Sequence, residues 1–583
     1  MRQFVADFET TTNEDDCRVW AFGIMELHNH ENVVIGYTIE DFMKWCMEQP
    51  DNPKVYFRNL KFDSAFFIYW LFNHGFRHVT SAEREGNTFT TIISNKGLFY
   101  AVEVIFYLNG KKVKKVTFWD SMKLIPLSIE ATAETFKLPY KKRKIDYDRH
   151  NNLPVGSPIS EEEKQYLLTD LLIDAISIEY FHSQGLNRMT IGSCALHEYK
   201  SIIGKSEFKK RFPTLRADCH NEIKQSYKGG YVYVMPELAG KQIKNGIVLD
   251  KNSMFSWIMK EKLLPWGFPI FYRGQYKPDG SYPLYIQTIR CSFDLKPGML
   301  PTLQIKNSIW FSGTEYLTSS EDRELTLCMT SVDLELFLKH YNTYNLEYLS
   351  GWKFRGTKGM FDAYIDKWNA AKVKARAEDN PGLEFISKLY LNNLYGKFGT
   401  SNKLQEKIPY LSEKDGAIHY KDTKATEKDG IYLPVAAFVT AWARSEMVTA
   451  AQTIIDNYNS GKSKIRFCYC DTDSLHCLSD DYSLPEGLDI DKYKLGAWKF
   501  ESKFRRAKFL RTKCYIEDST RDVYNDSPEW DLKVTVAGMP EGCKDQVSFH
   551  NFRIGATYSG KKQPKAVKGG VVLQAIDFTI KKV

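Results

Sequence analysis

Tyr469-Cys470-Asp471-Thr472-Asp473-Ser474 places two carboxylates two residues apart between two short apolar runs, residues 465–470 and 475–478. Alternate residues of a strand point to the same face, so a strand–turn–strand at this position is expected to aim both acids at one spot. Clustered acids repel each other, and divalent cations bind well to such oxygen ligands. The stretch therefore indicates metal-assisted phosphoryl chemistry, with an ordinary acidic surface turn as the alternative.

Length and composition narrow the class of protein. A chain of 583 residues is too long for one core, so we expect several domains. It contains no apolar run long enough for a membrane span, and Asp7 interrupts the N-terminus where a secretory signal needs apolar residues. The 11 cysteines lack the paired spacing of a zinc site. They indicate a reducing cytosol, and secretion is not expected.

The net charge of +8 is only mildly basic, but the basic residues are clustered. Groups such as Lys141-Lys142-Arg143-Lys144 and Lys503 to Lys508 are suited to a nucleic-acid backbone. Solvated surface faces are the alternative for each cluster taken singly.

Apolar strands alternate with helical patterns over the first 180 or so residues, which predicts an α/β domain. Ser160 and Glu163 form a capping-box pattern that begins a helix running to Tyr180. The predicted strands cover residues 3–7, 55–57, 98–104 and 116–119, and a second helix covers residues 41–48.

Later segments are less regular. A strand over 246–249 ends in Asp250, and residues 261–360 are rich in proline, glycine and short β runs, as an insertion would be. Helices are predicted over 384–398 and 435–458, on either side of a polar stretch, 402–430. A small β-rich domain is expected from about residue 530.

Two sets of acids carry the chemistry. Asp7 and Glu9 share a strand face, Asp63 follows Asn59, and Tyr166 and Asp170 lie one helical turn apart. Four such acids and a tyrosine are suited to hold two metals about 3.5–4 Å apart, as in a nuclease. A strand-end carboxylate pair is the alternative for Asp7 and Glu9 alone.

The second set joins the opening hairpin to Asp250, about 220 residues earlier, which is how a palm-type polymerase divides its metal ligands. Between them, Lys388, Asn392 and Tyr395 fall on one helical stripe suited to a nucleotide, or simply to solvent. Two further motifs are weak by themselves. Lys513 and Tyr515 are expected on one strand face, and Tyr227-Lys228-Gly229-Gly230-Tyr231 allows close backbone approach or a turn.

The ordered motifs DFETTT, YFRNLKFD, YLLTD, YKGGY, LDKNSMF, KLYLNNLYGKFG, AFVTAWAR, YCDTDS and TKCY resemble the protein-primed family B DNA polymerases of small tailed bacteriophages, the phi-29 type. The resemblance covers essentially the whole chain. It implies an α/β and α+β multidomain fold, with a ribonuclease-H-like 3'–5' exonuclease domain followed by a right-hand polymerase of palm, fingers and thumb with two insertions.

The implied domains follow one another along the chain. They are the exonuclease domain (1–185), the first part of the palm (186–260), an insertion that contacts terminal protein (261–360), the fingers (361–398), a second insertion for processivity and strand displacement (399–430), the second part of the palm (431–529) and the thumb (530–583).

The resemblance also assigns roles by position. Asp7, Glu9, Asp63 and Asp170 are implied exonuclease metal ligands, assisted by Tyr166, and Asp250, the Lys251 carbonyl and Asp473 are implied palm ligands, with Asp471 in a supporting role. The implied nucleotide contacts are Phe255, Lys372, Lys388, Asn392 and Tyr395. The implied DNA contacts are Asn59, Phe62, Ser121, Lys142, Tyr227, Gly229, Gly230, Lys513 and Tyr515.

The implied cofactor is Mg²⁺ or Mn²⁺, two ions per active site. The implied partners are a DNA template and primer strand, deoxynucleoside triphosphates, a terminal protein whose hydroxyl primes synthesis, and a viral single-strand-binding protein. The chain is expected to act as a monomer in the cytoplasm of an infected bacterial host.

Three positions depart from the family pattern. Phe255 stands where the family has tyrosine, Arg58 stands where it has histidine, and Lys251 stands where it has an apolar residue. Phe255 keeps the ring that blocks a ribose 2'-hydroxyl, so ribonucleotides are expected to stay excluded. Arg58 puts one DNA contact in doubt, and Lys251 brings positive charge near the triphosphate if its side chain faces the site.

Two other functions remain as alternatives. A polymerase on an RNA template also uses a palm with a paired-acid hairpin, but the N-terminal acid set and the KLYLNNLYG helix argue against it. A non-catalytic nucleic-acid-binding replication protein is disfavoured because every expected carboxylate is present.

Overall fold

A mixed eight-stranded sheet flanked by helices makes up the N-terminal part of the chain, seen in a computed structural model that describes residues 1–80, 82–306 and 308–582. The strand order is β3-β2-β1-β4-β8-β7-β6-β5, so β1 lies at the interior between β2 and β4. The predicted strands and helices are confirmed. The elements are β1 (Gln3–Thr10), β2 (Val19–Glu26), β3 (Asn29–Gly36), α1 (Ile39–Glu48), β4 (Lys54–Phe57), α2 (Leu60–Asn73), β5 (Arg77–His78), β6 (Thr88–Ile93), β7 (Phe99–Asn109), β8 (Lys112–Asp120), α3 (Ile129–Thr135) and α4 (Glu161–Ser183).

Helix α4 packs directly onto the sheet because Gly23 of β2 has no side chain. A Cβ at that position would lie 2.5 Å from Leu171 Cδ1, closer than carbon atoms tolerate. The capping box at the start of α4 is confirmed, with Ser160 accepting from the Glu163 amide and Glu163 accepting from the Ser160 amide. This packing carries Tyr166 and Asp170 over the end of β1.

A helical segment follows and leads into the strand that ends beside Asp250. The predicted strand over 246–249 is confirmed, and it extends further in both directions. The elements are α5 (Ile191–Ile203), α6 (Lys205–Arg211), α7 (Ala217–Ser226), β9 (Val232–Val234), β10 (Gln242–Lys251) and α8 (Met254–Glu261).

The segment predicted as the first insertion forms its own four-stranded antiparallel sheet, in the order β11-β14-β12-β13. A small hydrophobic core that includes Phe293, Phe337 and Tyr341 stabilises it. The elements are β11 (Leu264–Arg273), β12 (Leu284–Leu295), β13 (Leu325–Thr330), α9 (Ser331–His340) and β14 (Tyr341–Thr357).

Two antiparallel helices, then two small hairpin-like sheets, precede a long buried helix. The predicted helix over 384–398 begins earlier, at Pro381, because a proline in the first turn of a helix costs no hydrogen bond. The elements are α10 (Asp362–Ala377), α11 (Pro381–Phe398), β15 (Lys403–Leu404), β16 (Lys407–Leu411), β17 (Ile418–Asp422), β18 (Thr426–Glu427) and α12 (Leu433–Asn459).

The acidic hairpin lies inside a second large sheet, whose order is β23-β22-β21-β10-β20-β19-β9. Strand β10 pairs with β20, so that Asp250 lies opposite Ser474. The predicted hairpin is confirmed. The remaining elements are β19 (Arg466–Asp471), β20 (Ser474–Leu478), β21 (Trp498–Arg511), β22 (Cys514–Thr520), β23 (Asp531–Val536), α13 (Glu541–Lys544), β24 (Thr557–Val567) and β25 (Gly570–Thr579).

A buried ion pair ties this sheet to its neighbours. Arg444 of α12 donates to both carboxylate oxygens of Asp333 on α9 at 2.9 and 2.7 Å, and to the carbonyls of Lys228 and Gly229 at 2.8 and 2.7 Å. Removing one partner of such a buried pair typically costs about 3–5 kcal/mol, because the other charge is left uncompensated. The pair therefore fixes the backbone at 228–229 against the helices behind the sheet.

The C-terminal region contacts both the hairpin sheet and the N-terminal region. Strand β23 continues the hairpin sheet, whereas β24 and β25 form a separate two-stranded sheet. The tip of that sheet reaches the N-terminal region, where Val571 and Val572 join its hydrophobic core and Lys565 pairs with Glu14 at 2.6 Å. None of the helices in the described residues is long and apolar enough to cross a membrane.

Candidate functional site

Asp7, Glu9 and Asp170 line a cleft of about 370 Å³, and Asp63 lies close enough to Asp7 and Glu9 for their charges to interact. Asp7 and Glu9 alternate along β1, so both face the same side of the sheet. Asp63 lies in the first turn of α2, and Asp170 comes from α4 above the sheet. We call this arrangement of Asp7, Glu9, Asp63 and Asp170 the acidic cleft.

Burial and mutual repulsion dominate the electrostatics of the acidic cleft. Burial raises the pKa of Asp7 to about 8, with further contributions from Asp170 and Asp174. Burial also raises the pKa of Asp170 to about 6, and it raises the pKa values of Glu9 and Asp63 well above their usual range. These carboxylates therefore have more negative charge than the protein itself compensates.

Few groups of the protein offset this charge. Lys142 approaches Asp170 with its Nζ 3.7 Å from Oδ2, while Asp170 Oδ1 is buried without a hydrogen-bond partner. The Tyr166 hydroxyl lies 3.1 Å from the Tyr147 hydroxyl, and burial raises the pKa of Tyr166. An unsatisfied buried carboxylate oxygen beside a neutral phenol fits a site that a divalent cation completes.

The four predicted DNA contacts around the cleft have different surroundings. Asn59 is exposed and has a left-handed backbone, with φ of 68°, where α2 begins. Phe62 is half-buried and packs near Phe66, and Lys142 is partly exposed at the mouth of the cleft. Ser121 is fully buried, and its hydroxyl donates to the Phe57 carbonyl at 3.3 Å. Their DNA-binding roles stay predictions.

The sequence analysis missed Asp174 at this cleft. It follows Asp170 by one helical turn on α4, which places both side chains on the same face. The spacing of Asp170 and Asp174 is visible in the sequence, but the contact between Asp174 and Arg58 is not. The Arg58 guanidinium binds Asp174 in a nearly buried ion pair.

The second acid set, which we call the hairpin site, consists of Asp250, Asp471 and Asp473. The turn between β19 and β20 presses against the end of β10, where the Lys251 amide donates to the Asp473 carbonyl at 2.8 Å. Burial raises the pKa of Asp250 to about 7, with a further contribution from Asp473. Burial also raises the pKa of Asp473, so these two acids share one poorly compensated region.

Asp471 has a different environment from Asp473. Lys513 Nζ lies 2.9 and 3.0 Å from the two Asp471 oxygens, and the Tyr469 hydroxyl donates to Asp471 at 3.2 Å. The expected placement of Lys513 on a strand face is wrong. Lys513 lies in the tight turn between β21 and β22 with φ of 55°, as such a hairpin turn requires. Its ammonium reaches back to Asp471, while Tyr515 on β22 is buried.

The Lys251 side chain faces away from the hairpin site. Its Nζ binds Glu446 Oε2 at 3.1 Å and lies 4.6 and 4.9 Å from the ring centroids of Trp257 and Trp498. Alternation along β10 explains this direction, because Asp250 and its neighbour point to opposite faces. Its charge is thus directed into the interior, and only its backbone faces the acids.

Of the residues predicted to contact a nucleotide, Tyr395 lies near the hairpin site, since Asp473 contributes to its raised pKa. Phe255 stacks on Tyr395 with ring centroids 4.1 Å apart and planes 16° from parallel. Lys372 donates to the Ser253 hydroxyl at 3.0 Å, and burial lowers the pKa of Lys372 to about 8. On α11, Lys388 is exposed and pairs with Glu384 at 2.8 Å, and Asn392 is exposed one turn further on.

Gly230 approaches the hairpin turn closely, as the sequence allowed. A Cβ on Gly230 would lie 2.9 Å from Thr472 Oγ1 and Cγ2, so only glycine fits without a shift. Gly229 is exposed, and Tyr227 is half-buried against Gly399. The backbone at 227–230 is extended beside the turn, which excludes the alternative of a turn at Gly229-Gly230.

Glu501 is a fourth acid, beside the three of the hairpin site, that the sequence patterns did not indicate. It contributes to the raised pKa values of both Asp250 and Asp473, while Lys499 and other cations hold its own pKa below the usual range. Period-two spacing puts Lys499 and Glu501 on one strand face, but no local pattern shows that β21 pairs with β10.

The donors of both sites fit divalent cations that prefer oxygen, such as Mg²⁺ or Mn²⁺. Among the residues that the structure describes, no three His, Cys, Asp or Glu side chains converge as a finished metal site. Mutual repulsion holds such acids apart, and bound cations would draw them together.

Comparison with known proteins identifies the family of the chain. The family model described as DNA polymerase type B, organellar and viral, matches residues 46–168 and 154–483. The DNA polymerase of Bacillus phage B103 is 41% identical over 592 residues, covering 100% of both chains. The DNA polymerase of Bacillus phage phi29 is also 41% identical, covering 100% of this chain and 99% of the relative.

A solved structure gives the same result for the fold. Phi29 DNA polymerase complexed with primer-template DNA and incoming nucleotide substrates superposes with a TM-score of 0.92 at 40% identity, covering 100% of both chains. The predicted α/β and α+β multidomain fold, with an exonuclease domain followed by a right-hand polymerase, is confirmed by this match.

The raised carboxylate pKa values predict a pH dependence of metal binding. Without metal, Asp170, Asp250 and Asp7 have pKa values of about 6, 7 and 8, so these three groups bind more protons in the folded than in the unfolded chain between about pH 4 and 8. Their contribution to stability is therefore full at low pH and falls as the pH rises through that range.

Divalent cations replace these protons, so the rise in melting temperature on adding Mg²⁺ is expected to be larger at pH 8.5 than at pH 6. Differential scanning calorimetry with an EDTA baseline at each pH measures it. Equal rises at the two pH values would contradict the assigned electrostatics.

Proposed function

Because this chain belongs to the phi29-type DNA polymerases of the organellar and viral type B family, we propose that it extends DNA at the hairpin site and proofreads at the acidic cleft. One observation carries the proposal. A single chain holds two separate sets of buried, poorly compensated carboxylates, each of which fits divalent metal. The substrates are a DNA template with its primer strand and deoxynucleoside triphosphates.

Asp250 and Asp473 hold the metals of the polymerase site, together with the carbonyl of Lys251. When bound, two ions would activate the primer 3'-hydroxyl and stabilise the leaving pyrophosphate. Asp473 is assigned as the ligand rather than Asp471, since Lys513 already pairs with Asp471 at 2.9 Å. Asp471 adds to the repulsion that raises the pKa of Asp473, and Lys513 offsets part of that repulsion.

The nucleotide lies between the hairpin site and α11. Lys372 and Lys388 bind the triphosphate, as cations placed to offset its charge. The stacked rings of Phe255 and Tyr395 form the wall that the sugar and base contact, and Asn392 lies on the exposed face beside them. Tyr227, Gly229, Gly230, Lys513 and Tyr515 contact the template and primer strands near the hairpin turn.

The acidic cleft hydrolyses the 3' end of a single strand. Asp7, Glu9, Asp63 and Asp170 hold the ions, whose chemistry when bound would be activation of the attacking water. The Tyr166 hydroxyl orients that water, which its neutral state and contact with Tyr147 allow. Asn59, Phe62 and Ser121 position the strand end, and Lys142 lies near the scissile phosphate.

Two single substitutions separate the activities. Asp473→Ala is expected to lower primer extension by roughly 10³-fold, the rate equivalent of several kcal/mol of lost transition-state stabilisation, and to leave single-strand degradation intact. Asp63→Ala is expected to do the reverse. Gel assays of both activities on both variants measure this.

Asp471→Asn serves as the matched control within the hairpin, and its loss of extension is expected to be smaller than that of Asp473→Asn. Loss of both activities from either alanine variant would contradict the division into two sites.

Phe255 acts as the steric gate against ribonucleotides. Phe255→Val is expected to raise ribonucleotide incorporation by roughly tenfold or more, the discrimination that a side-chain contact in a pocket supplies. Phe255→Tyr keeps the ring and is expected to keep ribonucleotides excluded. Single-turnover incorporation of each nucleotide measures the ratio, and unchanged exclusion in Phe255→Val would remove this role from Phe255.

The two insertions support protein priming and strand displacement on a linear viral genome. The sheet of β11–β14 contacts a terminal protein, whose hydroxyl serves as the primer. The second insertion encloses the DNA, since Tyr420 packs on Phe99 of the N-terminal sheet at 5.5 Å between ring centroids. A viral single-strand-binding protein covers the displaced strand, and the enzyme acts as a monomer in the cytoplasm of the bacterial host.

Extension of a primed circle tests displacement. Wild type with Mg²⁺ and no accessory protein is expected to give products longer than one circuit. The matched control replaces residues 403–427 with a short Gly-Ser linker, because the Lys428 amide donates to the Asn402 carbonyl at 2.8 Å and the ends are adjacent. This variant is expected to stop near one circuit. Wild-type product limited to one circuit would contradict strand displacement.

A further inference from the structure

An arginine lies inside the acidic cleft where cations are scarce. The Arg58 side chain is 10% exposed and its partner Asp174 is 6% exposed, so the pair is nearly dry. Surface pairs contribute little, but breaking a buried pair leaves an uncompensated charge. The contacts of Arg58 therefore influence the positions of the elements that form the cleft.

Nearly all hydrogen-bond donors of Arg58 are used within the protein. Nε donates to Asp174 Oδ1 at 2.6 Å, and Nη2 donates to the same oxygen. Nη1 donates to the Leu127 carbonyl and to Thr132 Oγ1, the latter at 3.2 Å. A guanidinium has five N–H donors, so one remains. That count favours a structural tie over direct recognition of a DNA strand.

The tie joins the elements that carry the acids. Arg58 follows β4 directly and precedes Asn59, where α2 with Asp63 begins. Thr132 lies in the middle of α3, and Asp174 lies one turn beyond Asp170 on α4. One planar side chain therefore fixes α2, α3 and α4 relative to one another, and with them the spacing between Asp63 and Asp170.

We propose that Arg58, through Asp174, is a positioning residue that sets the carboxylate spacing of the acidic cleft for its metals. This inference rests on the proposed exonuclease function. Groups that orient metal ligands typically change metal affinity or activity by about 10–100-fold when they are removed. A direct DNA contact at Arg58 would instead act mainly on substrate binding.

Kinetics on single-stranded DNA separate the two roles. Arg58→Gln is expected to lower kcat for degradation by about 10–100-fold with little change in KM. A raised KM with unchanged kcat would overturn the proposal and assign Arg58 to DNA binding. Arg58→Lys keeps the charge but loses the planar fork, so it is expected to restore only part of kcat.

The double variant Arg58→Met/Asp174→Leu removes the tie without leaving a buried charge. Replacing a buried ion pair by apolar residues is often neutral for stability, so its melting temperature is expected to match wild type. Its kcat is expected to stay low. Wild-type kcat in this double variant would overturn the proposal, because the pair would then serve only the charge balance of the fold.

Mn²⁺ binding gives a readout that is independent of turnover. In a background with Asp250→Asn and Asp473→Asn, Mn²⁺ affinity followed by electron paramagnetic resonance is expected to weaken by about 10–100-fold on adding Arg58→Gln. Unchanged affinity would overturn the proposal. Wild type without exonuclease activity would contradict the proposed function, while the Mn²⁺ affinities would still decide the role of Arg58.

Discussion

Like-charged carboxylates held together away from water are the constraint on which the rest of this structure depends. Burying a charge is costly unless an opposite charge offsets it, and the protein supplies fewer cations than its clustered acids require. The pKa values of about 8 for Asp7 and about 7 for Asp250 express that deficit. Divalent cations are the natural complement of that deficit, and this supports the proposed metal chemistry.

Cations of the protein decide which acids remain available. Lys513 pairs with Asp471, and Arg58 pairs with Asp174. Each paired acid lies next to one that stays poorly compensated, Asp473 in the hairpin site and Asp170 in the acidic cleft. The two sites are thus arranged alike. In each, a salt bridge at the edge of the site stabilises the backbone, and the poorly compensated carboxylates face the place proposed for the reaction.

Close packing of the backbone brings these groups together. Gly23 lets α4 lie against the sheet of the acidic cleft, and Gly230 lets an extended segment lie beside Thr472 in the hairpin turn. The long strands β10 and β21 place residues from distant parts of the chain in one sheet. The pairing of β10 with β20 brings Asp250 and Asp473 together across a separation of about 220 residues.

Local patterns predicted much of this from the sequence. The capping box at Ser160, the strand alternation of Asp7 and Glu9, and the acidic hairpin depend on neighbouring residues, and each is found as expected. Lys513 was misplaced because the register of the β21–β22 hairpin puts it in the turn, and its partner Asp471 is 42 positions away. The roles of Glu501 and of the Arg58–Asp174 pair were not predicted for the same reason, since long-range contacts leave no periodic signal in the sequence.

Anomalous diffraction from crystals grown with Mn²⁺ tests the central claim most directly, because it locates the cations that the buried acids require. The account predicts Mn²⁺ peaks bound by Asp250 and Asp473, and a second group of peaks within the acidic cleft of Asp7, Glu9, Asp63 and Asp170. Peaks bound by Asp471 in place of Asp473, or an acidic cleft without any peak at saturating Mn²⁺, would contradict it.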